Sequence, residues 1–313
     1  MSLTRRVLAV GAGTAMALSV ATAAGAAGAA ERAHLTADPT SPTTVDVSFS
    51  VKASAPSAGD QTITGTAQVD LATDQAAVTV SLPAGLPGTS GATTAQAVVA
   101  GGTVYVSVPE LSALLGSAWV SLAAPASDAG TISSAFTQAA SALGDTPGIV
   151  STLVADGATA TPLGTKTVGG QVETGTRVDI SVAKLLSGSG LPSSAVAKAT
   201  STVGSTIPVT LWAYADGRLA QVAVAVSGTT ASASDSVSFT ADFTGYDTPV
   251  TITVPPASAT HPLSSGLLKE LAPMVAGQFG VSTSTSHVLS HLEGALLGRH
   301  TPRHGHRRHA TAA

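Results

Sequence analysis

Five carboxylates gather in the second half of the chain: Glu173, Asp179, Asp216, Asp242 and Asp247. Two carboxyl groups at a fixed separation are the machinery of glycoside hydrolysis, one acting as acid and the other as base or nucleophile. Asp216 and Asp247, however, lie beside or near Gly217 and Pro249 at turns. There a carboxylate ordinarily accepts hydrogen bonds from its own backbone. Serine is abundant, but none stands in Gly-x-Ser-x-Gly within a strand–turn–helix context, as a nucleophile elbow requires. His34 is the single histidine before residue 261, so the body lacks imidazole bases for general catalysis. The chain has no cysteine, which removes a thiol nucleophile. These residue types do not assemble an enzyme, and no cofactor is implied.

A second group stands at the C-terminal end. His287 and His291 are spaced i, i+4 on a predicted helix face, and His300, His304, His306 and His309 follow among arginines. Neutral imidazoles at that density bind Zn²⁺, Ni²⁺ or Cu²⁺. No carboxylate or thiol completes a defined set, so such binding is expected to be loose. The other reading is a cationic tail that touches anionic wall polymers or a membrane surface.

The remaining sequence must position whatever the chain binds. Residues 33–260 carry 15 acids and 6 Lys or Arg, whereas residues 261–313 carry 5 Lys or Arg, 2 Glu and 7 of the 8 histidines. An acidic body excludes nucleic acid as a partner there, because phosphate contact needs clustered Lys and Arg. The N-terminus has the parts of a secretory signal over residues 1–30: Arg5-Arg6, an apolar run Val7–Val20, and small residues through Ala30. That run is short and rich in Ala and Gly for a bilayer span. Export to the extracytoplasmic envelope is therefore expected. Without cysteine there is no lipid anchor of that kind, and the fold must be held by packing and strand pairing.

Apolar residues alternate with small or polar ones over Val45–Ala53, Gln61–Ala72, Ala76–Leu82, Thr94–Val99, Thr103–Val108, Trp119–Leu122, Ala160–Val168 and Gln171–Val182, the period of half-buried strands. Asp74, Gly101-Gly102 and Gly169-Gly170 mark the turns. Helical spacing appears at Ile132, Phe136, Ala139, Ala140 and Leu143, closed by Gly144, and again with Thr146 as N-cap and Pro147 at the first position. Another helix is predicted over Leu191–Val203. From Ile207 to Pro256 three more strands follow, the first two joined by a tight Asp216-Gly217 turn. This stretch holds Trp212, Tyr214, Phe239, Phe243 and Tyr246, half of the ten aromatics. Strands arriving in hairpins between helical interludes predict an α+β fold: one curved antiparallel sheet with helices on one face.

Two segments carry a resemblance. One runs Leu163-Gly-Thr-Lys-Thr-Val-Gly-Gly-Gln-Val-Glu-Thr174 and on to Val178-Asp179-Ile180. The other comprises Ile207-Pro-Val-Thr-Leu-Trp212, Asp216-Gly-Arg-Leu219, Phe239–Asp242, Phe243, Gly245, Tyr246 and Pro249–Pro256. Together they resemble the LppX/LprG family of mycobacterial cell-envelope lipoproteins and its secreted actinobacterial relatives, over roughly residues 45–256. The resemblance implies a LolA-like open half-barrel, helices on its concave face, that encloses a cavity for acyl chains without catalysis. The chain departs from that pattern in lacking the lipobox cysteine and room for a long N-terminal helix before the first strand.

On this reading residues 31–256 form the half-barrel, 257–297 a helical extension carrying Leu267, Leu268, Leu271, Met274, Val275, Phe279 and a second stripe, and 298–313 a disordered His/Arg-rich tail. The expected ligand is a lipid or other hydrophobic small molecule. Trp212, Tyr214, Phe239, Phe243, Trp119 and Phe136 are the candidate lining. The same aromatics could fill an ordinary core, which would leave a structural or interaction protein of the cell wall. Alternation alone does not separate the two.

Overall fold

The computed structural model describes residues 41–55, 59–84, 91–109, 115–123, 126–187, 193–230 and 233–262. The predicted signal, His34, most of the helical extension and the tail with its histidines from His287 to His309 lie outside these residues.

Among the described residues, twelve strands form one open sheet. In chain order they are β1 (Thr44–Ala55), β2 (Gly59–Asp70), β3 (Gln75–Leu82), β4 (Thr93–Ala100), β5 (Thr103–Ser107), β6 (Trp119–Ala123), β7 (Thr159–Val168), β8 (Gln171–Ser181), β9 (Thr206–Tyr214), β10 (Leu219–Thr230), β11 (Ala233–Thr244) and β12 (Thr260–Pro262). Across the sheet the order is β12-β6-β5-β4-β3-β2-β1-β11-β10-β9-β8-β7. All neighbours are antiparallel except β12 and β6. Among the described residues, four helices interrupt the strands: α1 (Ala126–Gly144), α2 (Thr146–Ala155), α3 (Val182–Ser187) and α4 (Ser193–Val203). The architecture is the predicted α+β open half-barrel.

The eight strands given bounds in the sequence end within two residues of the observed ones, whereas the three read from Ile207 to Pro256 finish at Thr244. Gly101-Gly102 and Gly169-Gly170 have positive φ at both positions, the geometry that closes a two-residue hairpin with the twist of its strands. Asp216-Gly217 differs from expectation. Only Gly217 of that pair adopts positive φ, at 87°. Gly217 N donates to Tyr214 O and Tyr214 N to Arg218 O, so the loop is longer and β10 carries a bulge between Leu219 and Gln221. Asp216 Oδ1 accepts from Arg218 N, a local bond typical of an aspartate in a turn. Another irregularity lies between Pro162 and Gly164 on β7, which closes one end of the described sheet.

The helical interlude needs two corrections. The N-cap of α2 is Asp145, whose Oδ1 accepts from Gly148 N at 2.8 Å. Thr146 instead enters the helix, and its buried hydroxyl finds no partner. A carboxylate satisfies the free N–H groups of the first turn and complements the positive end of the helix dipole. The short α3 was not expected, since strand periodicity continues through Val182. The main chain turns helical there as Ser181 Oγ accepts from Lys184 N, while Lys184 Nζ reaches the Asp156 carbonyl beyond the end of α2.

Pairing register fixes two faces. On β1, Val45, Val47, Phe49 and Val51 point to one side and Asp46, Ser48, Ser50 and Lys52 to the other. The first side, here the inner face, carries the core: Phe49, Val51, Ile63, Val80, Val178, Leu211, Val222, Phe239, Ala241 and Phe243 with Ala139, Ala142, Leu143 and Ile149 from α1 and α2. Helix α2 packs on β7, β8 and β9, α4 on β9 and β10, and α1 on β10. The sheet also extends past the domain end read at Pro256. After a 3-10 turn at Ala257–Ala259, β12 joins the edge beside β6. Three residues including Pro262 are too short to show a strand period.

Candidate functional site

The inner face is built of apolar rows that the register aligns across the sheet. One row runs Ile63–Val51–Phe239–Val224–Val209–Val178 through β2, β1, β11, β10, β9 and β8. The next runs Ala95–Val80–Gly65–Phe49–Ala241–Val222–Leu211, reaching β4. Gly65 is required in that row, since a Cβ there would overlap the Phe49 ring and come 2.6 Å from the Thr79 carbonyl oxygen. On β1 to β4, Val47, Val69, Val78, Leu82 and Ala95 are half-buried and packed against that core, and the row through Val47 and Val78 continues by Ala97 and Val106 to buried Val120 on β6.

The aromatics singled out in the sequence divide between the two faces. Phe239 and Phe243 are buried in the inner core, and Phe136 of α1 packs half-buried against it. Trp212 and Tyr214 alternate with Leu211 and Ala213, and Leu211 points inward. Both rings therefore project from the outer face. Trp119 alternates with buried Val120 and also faces outward. The six do not form one lining, because side chains on a strand switch sides at every residue and aromatic density ignores that parity.

Tyr214 instead borders a groove of about 770 Å³ on the outer face, at the end of the sheet where β8, β9, β10 and β11 meet their turns. Tyr214, Glu173, Asp216, Arg218, Asp242 and Tyr246 are in its wall. Glu173 is 5% exposed. Lys166, its cross-strand partner on β7, places Nζ 3.1 Å from Glu173 Oε2 and 4.1 Å from the centre of the Trp212 ring. Oε2 meets that ammonium as an ion pair and takes no hydrogen bond. Lys166 Nζ donates to Gln221 Oε1, and Gln221 Nε2 donates to Asp242 Oδ1 at 2.6 Å.

Beside this chain of contacts, Arg218 lies 4.8 Å over the Tyr246 ring and pairs with Asp216 and Asp247. Asp247, in the αL conformation at φ 58°, also accepts from Thr43 N, which fastens the start of β1 to the end of β11. Tyr214 and Tyr246 meet edge to face, donating to the Phe243 and Leu219 carbonyls respectively. Burial raises the Tyr246 phenol well above the ordinary tyrosine range. Tyr214 is raised first by burial, then by the negative charges of Glu173 and Asp242. Sequence reading named these acids only as turn or catalytic candidates. The signal for the Lys166–Glu173 pair was present, since a two-residue turn at Gly169-Gly170 sets residue 166 opposite 173.

Among the described residues, no group of three or more His, Cys, Asp or Glu is placed to hold a metal ion, and no helix is long and apolar enough to cross a membrane. Asp179, the remaining acid of the opening five, pairs with Arg177 on the same strand. Asp216, Asp242 and Glu173 are all engaged or approached by cations or amides, so none stands free as an acid–base pair.

No family profile and no curated protein matches this chain. Among solved structures, it is similar to LprF from Mycobacterium bovis at 15% identity and TM-score 0.38, covering 78% of this chain and 98% of that one. It is similar to the lipoprotein LppX of Mycobacterium tuberculosis at 13% identity and TM-score 0.38, covering 77% and 99%. A LolA superfamily protein from Nitrosomonas europaea aligns at 9% identity and TM-score 0.22, covering 69% and 89%. LppX, in the family that the sequence resembles, is among these structures.

Proposed function

We propose that this chain is a secreted, non-enzymatic carrier that holds a lipid or other hydrophobic molecule of the cell envelope against the inner face of its half-barrel. The observation that supports it is the set of apolar rows on that face, with Val47, Val69, Val78, Leu82 and Ala95 on β1 to β4 left half-buried against the core. The sheet is open and its edges do not meet, so an acyl chain has a side from which to enter. Each methylene withdrawn from water there contributes about 0.8 kcal/mol. A ligand held by area alone needs no exact polar partner, which suits a face built of Val, Ala, Leu and Phe. The ligand-facing aromatics are then Phe239, Phe243 and Phe136 rather than all six. Export follows the signal-like N-terminus, and the Arg/His-rich tail supplies contact with anionic wall polymers or a membrane surface.

The test is native mass spectrometry with lipid extraction on the protein secreted by an actinobacterial host, followed by titration with a fluorescent fatty acid. A stoichiometric acyl lipid, or saturable uptake of the probe, is expected. A bare mass with no uptake would overturn the carrier reading and leave a filled core in a wall-interaction protein.

A further inference from the structure

Among the described residues, helices α1 to α4 pack on β7 to β10, and none has comparable packing on β2 to β6. On that other half of the inner face the register aligns two further apolar rows. One runs Val78–Ala97–Val106–Val120 and the other Ala76–Val99–Val104. Val78, Ala97, Val99, Val104 and Val106 are only half-buried, and neither row holds a charge. A contiguous apolar patch left to water marks a surface that something covers. The chain itself supplies a cover that starts at the edge of these rows. Strand β12 pairs with β6, setting His261 beside Val120 and Pro262 beside Ser121. Four residues, Leu263 to Gly266, follow, and then the stripe Leu267, Leu268, Leu271, Met274, Val275 and Phe279. At helical spacing these six share one side. Lys269 and Glu270 fall outside the stripe, and Pro273 falls on the far side, where a bend leaves the stripe continuous.

We propose that residues 267–279 fold back from β12 and lie along the inner face of β1 to β6, with their apolar stripe against the rows of Val78, Ala97, Val99, Val104 and Val106. The reach is sufficient. Thirteen residues in a helix span about 20 Å, and the four before them add up to about 13 Å more when extended. The five strand spacings from β6 to β1 measure about 24 Å. Tethering favours this occupant over a second copy of the chain, because a short linker holds the segment at a local concentration on the order of millimolar. Both surfaces are apolar and both need cover, so one contact withdraws the two from water together. The protein thereby carries its own occupant for the half of the inner face that its described helices leave bare. This goes beyond the carrier reading, which assigns the face to a ligand without saying what covers it when empty.

The chain has no cysteine, so engineered pairs report the contact directly. Ala97 and Gln96 are neighbours on opposite faces of β4, Ala97 in the inner row and Gln96 exposed on the outer side. In the full chain, Ala97→Cys is combined in turn with Leu268→Cys, Leu271→Cys or Val275→Cys, and Gln96→Cys with the same three. Thermal unfolding of the reduced variants confirms that each is folded. They are then oxidised at low protein concentration and read by non-reducing gel and peptide mass. A disulfide forms only where the two Cα atoms approach within about 7 Å. A shifted, internally linked monomer is expected in at least one Ala97 pairing and in none of the Gln96 pairings. No link in any Ala97 pairing, or equal linkage from Gln96, overturns the proposal. Linked dimers in place of linked monomers also overturn it, by placing a second copy on the face. No lipid is present in the measurement, so its result is separate from that of fatty-acid uptake.

Discussion

Trp212 lies across Gly175, its partner on the neighbouring strand, so closely that a Cβ at position 175 would stand 2.6 Å from the ring carbon Cζ3. The ring also carries Lys166, whose Nζ is 4.1 Å from its centre. The outer face is thus packed at a point where sheets with one core usually expose polar side chains. Gly175→Ala is expected to destabilise the fold by roughly 1–3 kcal/mol, as overpacking does. Urea unfolding measures it. The same change in a Trp212→Leu background should cost less, and an equal cost would show that the ring is not what excludes a side chain.

Asp145→Ala removes the cap of α2 and is expected to cost about 1 kcal/mol. Asp145→Asn keeps an accepting oxygen and should retain most of that. Thr146→Val, by contrast, deletes a buried hydroxyl that has no partner, so it should be neutral or stabilising. Chemical denaturation of the three variants distinguishes Asp145 from Thr146 as the cap.

The Tyr214 and Tyr246 phenols are both raised above the ordinary value in the folded protein. A raised folded pKa means that the folded state keeps the proton that the unfolded state releases. The contribution to stability is complete below the unfolded value, about pH 10, and is lost as pH rises through the folded values. Phenolate absorbance should therefore show these two tyrosines ionising late, with Tyr246 ionising together with unfolding. Tyr246→Phe should remove that late step and cost roughly 0.5–1.5 kcal/mol for the lost bond to the Leu219 carbonyl.

Both tryptophans of the chain project from the outer face. Uptake of a fatty acid on the inner face should leave intrinsic tryptophan emission almost unchanged while an environment-sensitive acyl probe brightens. A large tryptophan change with fatty acid alone would place that ligand on the outer side.

The sheet and its hairpins were legible because each strand writes its own alternation and each turn its own Gly or Asp. Fold class followed from that local information. Side assignment did not, since it depends on register between strands far apart in sequence, such as β1 against β11. Trp212 and Tyr214 looked like core because they are the largest groups near Leu211, although Leu211 is the residue that points inward. The groove was hidden for a related reason. Glu173 and Asp242 are 69 positions apart, and only the adjacency of β8, β9, β10 and β11 brings them to one wall. The Lys166–Glu173 pair was the exception, readable by counting outward from Gly169-Gly170.

Strand β7 forms one end of the described sheet, and Leu163 and Val168 on it are exposed. A bare rim of this kind invites another molecule to add its own strand and begin a fibril. Pro162 has no amide hydrogen to offer, the irregularity beside Gly164 breaks the straight run of bonding groups, and Lys166 carries charge into the same stretch. The rim is blunted over most of its length. The backbone of this edge is thereby withheld from pairing with a second copy of the chain, which leaves the sheet able to end where it does without a covering element.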